Sequence, residues 1–166
     1  MDFLQEGAAN LEAYRLSDIL YWQLPGVAAY QRFTLGGLLL GMVQINAQGE
    51  TWQRGGHLST VQASIDRLKL ERLSAWERKV RQETDARLRL WKAYLEEYRQ
   101  NSEEQAAYYP REVKWRVIIQ LLINDSPPTI EQVEKLTGLD TMVKSNWLPD
   151  AFTWEPYLVN AFPEHE

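Results

Sequence analysis

From Ser59 to Gln100 the chain contains neither proline nor glycine, and apolar residues recur along it at helical spacing. At ~1.5 Å per residue, such a stretch spans roughly 60 Å as one helix, longer than a small domain is wide. The spacing therefore predicts a single long helix over about 59–100. A rod of that length has to be covered by shorter helices or by a second copy of itself. Its main apolar face reads Leu58, Val61, Ile65, Leu68, Trp76, Val80, Leu88, Trp91, Leu95 and Tyr98. A period of about 3.6 favours a straight helix in a globular bundle over a supercoil. A second, patchier face carries Leu70, Leu73, Leu90 and Tyr94. A helix apolar on two sides has two partners, its own bundle and another surface. These four residues are the candidate interface. Glu77/Arg81, Glu83/Arg87 and Asp85/Arg89 are acid-before-base pairs four residues apart. Each such pair adds only ~0.3 kcal/mol, and the three read as a solvated face.

Composition narrows the chemistry. At 166 residues the chain is long enough for one domain with a sizeable core. Seven Trp, eight Tyr and four Phe are available to fill it. There is no Cys, which excludes disulfides, thiolate metal sites and a cysteine nucleophile. The most apolar run, Leu35 to Val43, is far shorter than the ~20 residues a bilayer span needs. Asp2 and Glu6 stand where an export signal carries basic residues. The expectation is a cytoplasmic, soluble protein. The net charge is −5, and only residues 57–99 are basic, with ten Lys and Arg against seven acids. A general nucleic-acid binder shows a clear basic stripe, so a nucleic-acid partner is disfavoured.

Shorter elements flank the rod. Residues 8–22 read as a first helix with Leu11, Tyr14, Ile19 and Trp22 near one face, ended by Leu24-Pro25-Gly26. Residues 27–47 fit either a buried strand or a buried helix. The helix is favoured because no partner strand is visible elsewhere. Gly36, Gly37 and Gly41 would then lie near one face and admit a close neighbour. Ser59 with Gln62 has capping-box spacing, as does Thr129 with Gln132. Asn101-Ser102-Glu103-Glu104 ends the rod, and Pro110 precedes an apolar helix over about 111–123. A short helix from Thr129 stops at Gly138, and Asp140 caps another turn or two up to Trp147. Trp154, Tyr157, Leu158 and Phe162 have the spacing of a short amphipathic helix docked on the body. Leu68, Trp76, Val80, Val117 and Leu121 are the expected core. The chain reads as residues 1–125 forming a helical core and 126–166 forming short helices packed on it, in one domain.

Few residues form a chemical constellation. Arg54-Gly55-Gly56-His57 stands before a helix start, where free backbone N–H groups, an Arg and a His suit a phosphate or carboxylate. Its alternative is a flexible turn. Ser59 and Thr60 lie near His57, but both are natural helix caps, and no Gly-x-Ser-x-Gly elbow is present. With only His57 and His165, neither a three-His site nor paired Glu-x-x-His ligands can form. Glu131-x-x-Glu134 is similar to one Mg²⁺-holding motif of the all-α nucleotide pyrophosphatases, but the second acidic motif of that family is missing. No metal and no cofactor are expected.

Thr129-Ile-Glu-Gln-Val-Glu-Lys-Leu-Thr-Gly-Leu-Asp140 resembles the first helix and turn of a helix-turn-helix, with Gly138 and Leu139 at the turn. Glu134 stands where that motif takes a small packed residue, and Lys144 where it takes a buried aliphatic one. The resemblance covers residues 129–148 and implies a DNA-associated regulator.

The sequence reading is an all-α, bundle-like domain organised on one long central helix. Its function is a non-enzymatic interaction or assembly protein, as a homodimer or with a protein partner, through Leu70, Leu73, Leu90 and Tyr94. Two alternatives stand beside it: the DNA-associated regulator at 129–148, and a small anionic-ligand binder or enzyme at the loop 54–59.

Overall fold

The computed structural model describes residues 3–28, 32–47 and 57–146. Arg54, Gly55, Gly56 and the aromatic tail with Trp147, Trp154, Tyr157, Leu158 and Phe162 lie outside the described residues. The fold is all-α, with one two-residue antiparallel ladder. The chain divides into two compact units, residues 1–83 and 84–166.

In the first unit, α1 covers Phe3–Leu16. It starts and stops earlier than the apolar spacing predicts. The stop is held by polar groups. The Ser17 amide and hydroxyl both donate to the Tyr14 carbonyl, at 3.1 and 2.7 Å. The Tyr14 hydroxyl donates to the Leu20 carbonyl at 2.9 Å. Two carbonyls of this exit segment are taken by a distant side chain, Lys79, whose Nζ donates to Ser17 O at 2.8 Å and Ile19 O at 2.6 Å. Such a long-range hold is invisible to local periodicity.

The chain then turns at Pro25-Gly26, where Gly26 has φ +70°, the left-handed region that suits glycine. The strands β1 (Trp22–Gln23) and β2 (Arg32–Phe33) pair across this turn, Trp22 opposite Phe33 and Gln23 opposite Arg32. The expectation that no strand partner exists is corrected here, because Trp22 leaves the first helix to form it. The favoured helix follows as α2, Leu35–Ala47.

Two glycines let this unit close. An added Cβ on Gly7 would lie 2.4 Å from Phe33 Cε2, and one on Gly41 would lie 3.0 Å from Leu4 Cδ2. Phe33 is fully buried, 5.1 Å from the Tyr14 ring centroid in an edge-on arrangement. Gly41 was expected to sit at a close approach. Gly7 carries no such local signal.

The predicted rod is two helices. α3 covers His57–Glu71 and α4 covers Leu73–Gln100, interrupted at Arg72. Ser59 is therefore inside α3 rather than at its cap. The predicted buried face survives the break: Val61, Ile65, Leu68, Trp76 and Val80 are all buried.

The second unit takes α4 from residue 84 onward, α5 (Ser102–Ala106), α6 (Tyr109–Asp125) and α7 (Ile130–Asn146). Its core gathers Leu88, Trp91, Tyr94, Leu95, Ile119 and Leu139. Asn101 caps α5, its side chain accepting from the Glu104 amide at 3.4 Å. Pro110 lies in the first turn of α6, where its missing N–H costs nothing. Val117 is buried as expected, while Leu121 is half-buried and Leu122 takes the fully buried place.

The predicted capping box opens α7. The Thr129 amide donates to Gln132 Oε1 at 3.1 Å, and the Gln132 amide donates to Thr129 Oγ1 at 3.2 Å. Gln132 also donates to Asp85 Oδ1 at 2.9 Å. The predicted stop at Gly138 does not occur. α7 runs through it, with Leu136, Leu139, Met142 and Val143 against the core of the unit. The propensity loss of ~1 kcal/mol for one mid-helix glycine is small against that burial. Arg116 adds a paired hold, donating to both Asp140 oxygens at 2.7 and 2.9 Å.

Candidate interaction surface

The residues of the second apolar face separate by burial. Leu70 is 88% exposed, Leu73 56% and Leu90 39%. Leu70 and Leu73 stand on either side of the interruption at Arg72, in the first unit, and Leu90 belongs to the second. Tyr94 is corrected to a core residue. It is 5% exposed, stacks on Trp91 at 5.6 Å between centroids, and lies 6.5 Å from the Tyr109 ring. Its hydroxyl donates to the Gln105 carbonyl at 3.1 Å. The reason is rotation: Tyr94 falls three residues after Trp91, on the buried stripe.

His57 opens α3, while Arg54, Gly55 and Gly56 lie outside the described residues. Ile130 and Val133, at the start of α7, are further exposed apolar side chains. The single helix through Gly138 means that residues 130–146 do not adopt the two-helix form of a helix-turn-helix. Glu131 pairs with Lys135 at 2.6 Å, and this exposed pair holds the Glu131 carboxyl below its ordinary range through the lysine hydrogen bond. Among the described residues there is no group of His, Asp and Glu side chains placed to hold a metal. Nor is any described helix long and apolar enough to cross a membrane.

Four ionisable side chains are buried: Arg15, Lys79, Glu83 and Arg87. The pair Glu83/Arg87 is therefore not a solvated face. Glu83 Oε2 accepts from the Gly36 amide at 3.0 Å, inside the first turn of α2. The same turn is capped by Thr34, whose Oγ1 accepts from the Gly37 amide at 3.0 Å. A carboxylate there satisfies an orphan N–H and complements the helix dipole.

Lys79 is held by the two carbonyls of the α1 exit and lies 4.3 Å from the Tyr14 ring centroid. Burial lowers its ammonium pKa, with Asp18 opposing the shift. In the second unit, the Arg87 guanidinium covers the Trp115 ring at 4.6 Å, and Trp115 Nε1 donates to Glu112 at 2.7 Å.

These side chains orient elements of the fold. Lys79, Glu83 and Arg87 follow Trp76 and Val80 at three- and four-residue steps, so the apolar stripe already marked their positions. Their charge hid them, because burying an ion requires partners that a sequence does not display.

No family model matches this chain, and neither a curated protein nor a solved structure matches it.

Proposed function

We propose that this is a non-enzymatic interaction protein that self-associates as a homodimer through the exposed leucines of its long helices. The observation that supports this reading is Leu70, which at 88% exposure is the most exposed large apolar side chain described. Leu73 lies on the far side of the same interruption and is 56% exposed; Leu90, in the second unit, is exposed as well. Burying a leucine side chain on association gains ~1.5–3 kcal/mol, so two or three such residues supply a useful fraction of a micromolar affinity.

Light scattering coupled to gel filtration tests the reading. The expected result is a dimer at micromolar concentration, lost in the double variant Leu70→Glu/Leu73→Glu while its far-UV circular dichroism is unchanged. A strict monomer over a broad concentration range refutes it.

A further inference from the structure

We propose that the face carrying Leu70 and Leu73 is covered by residues 147–166 of a second copy of the chain, so that the homodimer forms by exchange of aromatic tails and not by rod against rod. This rests on the interaction surface proposed above and names what occupies it. Leu70 and Leu73 are 88% and 56% exposed. Two leucine side chains offer on the order of 200 Å² of apolar surface, whereas a stable interface buries about 800 Å² on each partner. A second rod brings only the same small area again. The occupant has to bring large apolar side chains of its own. Residues 147–166 do so, with Trp147, Phe152, Trp154, Tyr157 and Phe162. At ~150–250 Å² for each aromatic side chain, five of them supply about 1,000 Å².

Charge selects the same occupant. From Asp66 to Arg81 the chain has six basic residues against three acidic ones. One of the six, Lys79, is buried on the α1 exit, which leaves five against three outside the core. Arg67, Arg72 and Arg78 are exposed. Arg67 pairs with Glu71 at 3.9 Å, while Arg72 and Arg78 carry no ion pair with another described residue. Rod against rod would set this positive surface against its like, which opposes association. Residues 147–166 carry Asp150, Glu155, Glu164 and Glu166 and no Lys or Arg, so opposite charges meet. The other exposed apolar pair, Ile130 at 81% and Val133 at 46%, stands among Glu131, Glu134 and Lys135. That setting is acidic on balance and repels the tail. Twenty extended residues span up to ~70 Å, enough to cross from one copy to the other.

The absence of cysteine allows a single attachment point. Ser74 is exposed and follows Leu73. The full chain with Ser74→Cys is given a thiol-linked benzophenone and mixed with an isotope-labelled wild-type chain, and cross-linked peptides are identified by mass spectrometry. The expected result is a mixed dimer in which residue 74 is joined to a peptide from 147–166 of the labelled chain. In the full-length double variant Trp154→Ser/Tyr157→Ser, the dimer dissociation constant from light scattering should rise by about tenfold or more; an unchanged constant overturns the proposal. A mixed dimer cross-linked elsewhere on the labelled chain, as rod against rod requires, overturns the tail and leaves the homodimer reading standing. Attachment of residue 74 to its own tail alone overturns the exchange between copies. A wild-type chain that is strictly monomeric removes both.

Discussion

Replacing Gly7 by Ala sets helix propensity against packing. Gly7 lies inside α1, where alanine is favoured over glycine by ~1 kcal/mol. Propensity alone therefore predicts a stabilised protein. The added Cβ would lie 2.4 Å from Phe33 Cε2 and 2.9 Å from Cδ2. Carbon atoms prefer ~3.5–4.0 Å, so the ring or the helix must move by roughly 1 Å. The ring has little room to do so. Phe33 is fully buried, with Tyr14 at 5.1 Å and Phe3 at 5.9 Å between centroids. Overpacking of this kind costs ~1–3 kcal/mol, and the short contact places it toward the upper end. The net expectation is a loss of ~1–2 kcal/mol. Gly138→Ala is the matched control, since a Cβ there meets nothing within 4 Å and only the propensity gain of up to ~1 kcal/mol remains. Urea unfolding followed by circular dichroism should move the midpoint down for Gly7→Ala and up for Gly138→Ala. A Gly7→Ala protein as stable as wild type, or more so, refutes the claim that close packing against Phe33 requires glycine.

Leu68→Ala removes a side chain that is 2% exposed and should cost ~2–5 kcal/mol in the same assay; a loss below ~0.5 kcal/mol would place the buried face of α3 elsewhere. Alkaline pH should weaken the second unit. Burial raises the phenol pKa of Tyr94 and of Tyr109 above the ordinary 10.0, so above pH 10 the folded state holds protons that the unfolded chain releases. Stability is then fully present below that pH and falls as pH rises beyond it, and Tyr94→Phe should flatten the fall measured by denaturant unfolding at pH 9 and 11.

Much of the fold is legible where structure is local. The Thr129–Gln132 box forms as spaced, Pro110 sits in a first helical turn, and the long helix ends at Gln100, where Asn101 was expected to close it. The stripe Val61, Ile65, Leu68, Trp76 and Val80 is buried as its period requires. Of the second apolar face, Leu70, Leu73 and Leu90 are exposed, whereas Tyr94 belongs to an aromatic cluster whose other members come partly from a separate helix. A periodicity argument ranks faces by apolar content, and it cannot tell which of two faces a distant helix will cover.

The sequence by itself determined the all-α class, the long helical stretch and the Thr129–Gln132 cap, because each depends on residues within a few positions of one another. Tertiary structure alone decided the rest. Lys79 ends α1 by binding carbonyls some sixty residues earlier, Glu83 caps a helix it does not belong to, and Arg15 donates to the Leu68 carbonyl of α3. A charged side chain has several possible partners until folding brings one within hydrogen-bonding distance. Burial then makes that one contact necessary, since an ion removed from water must be compensated where it lies.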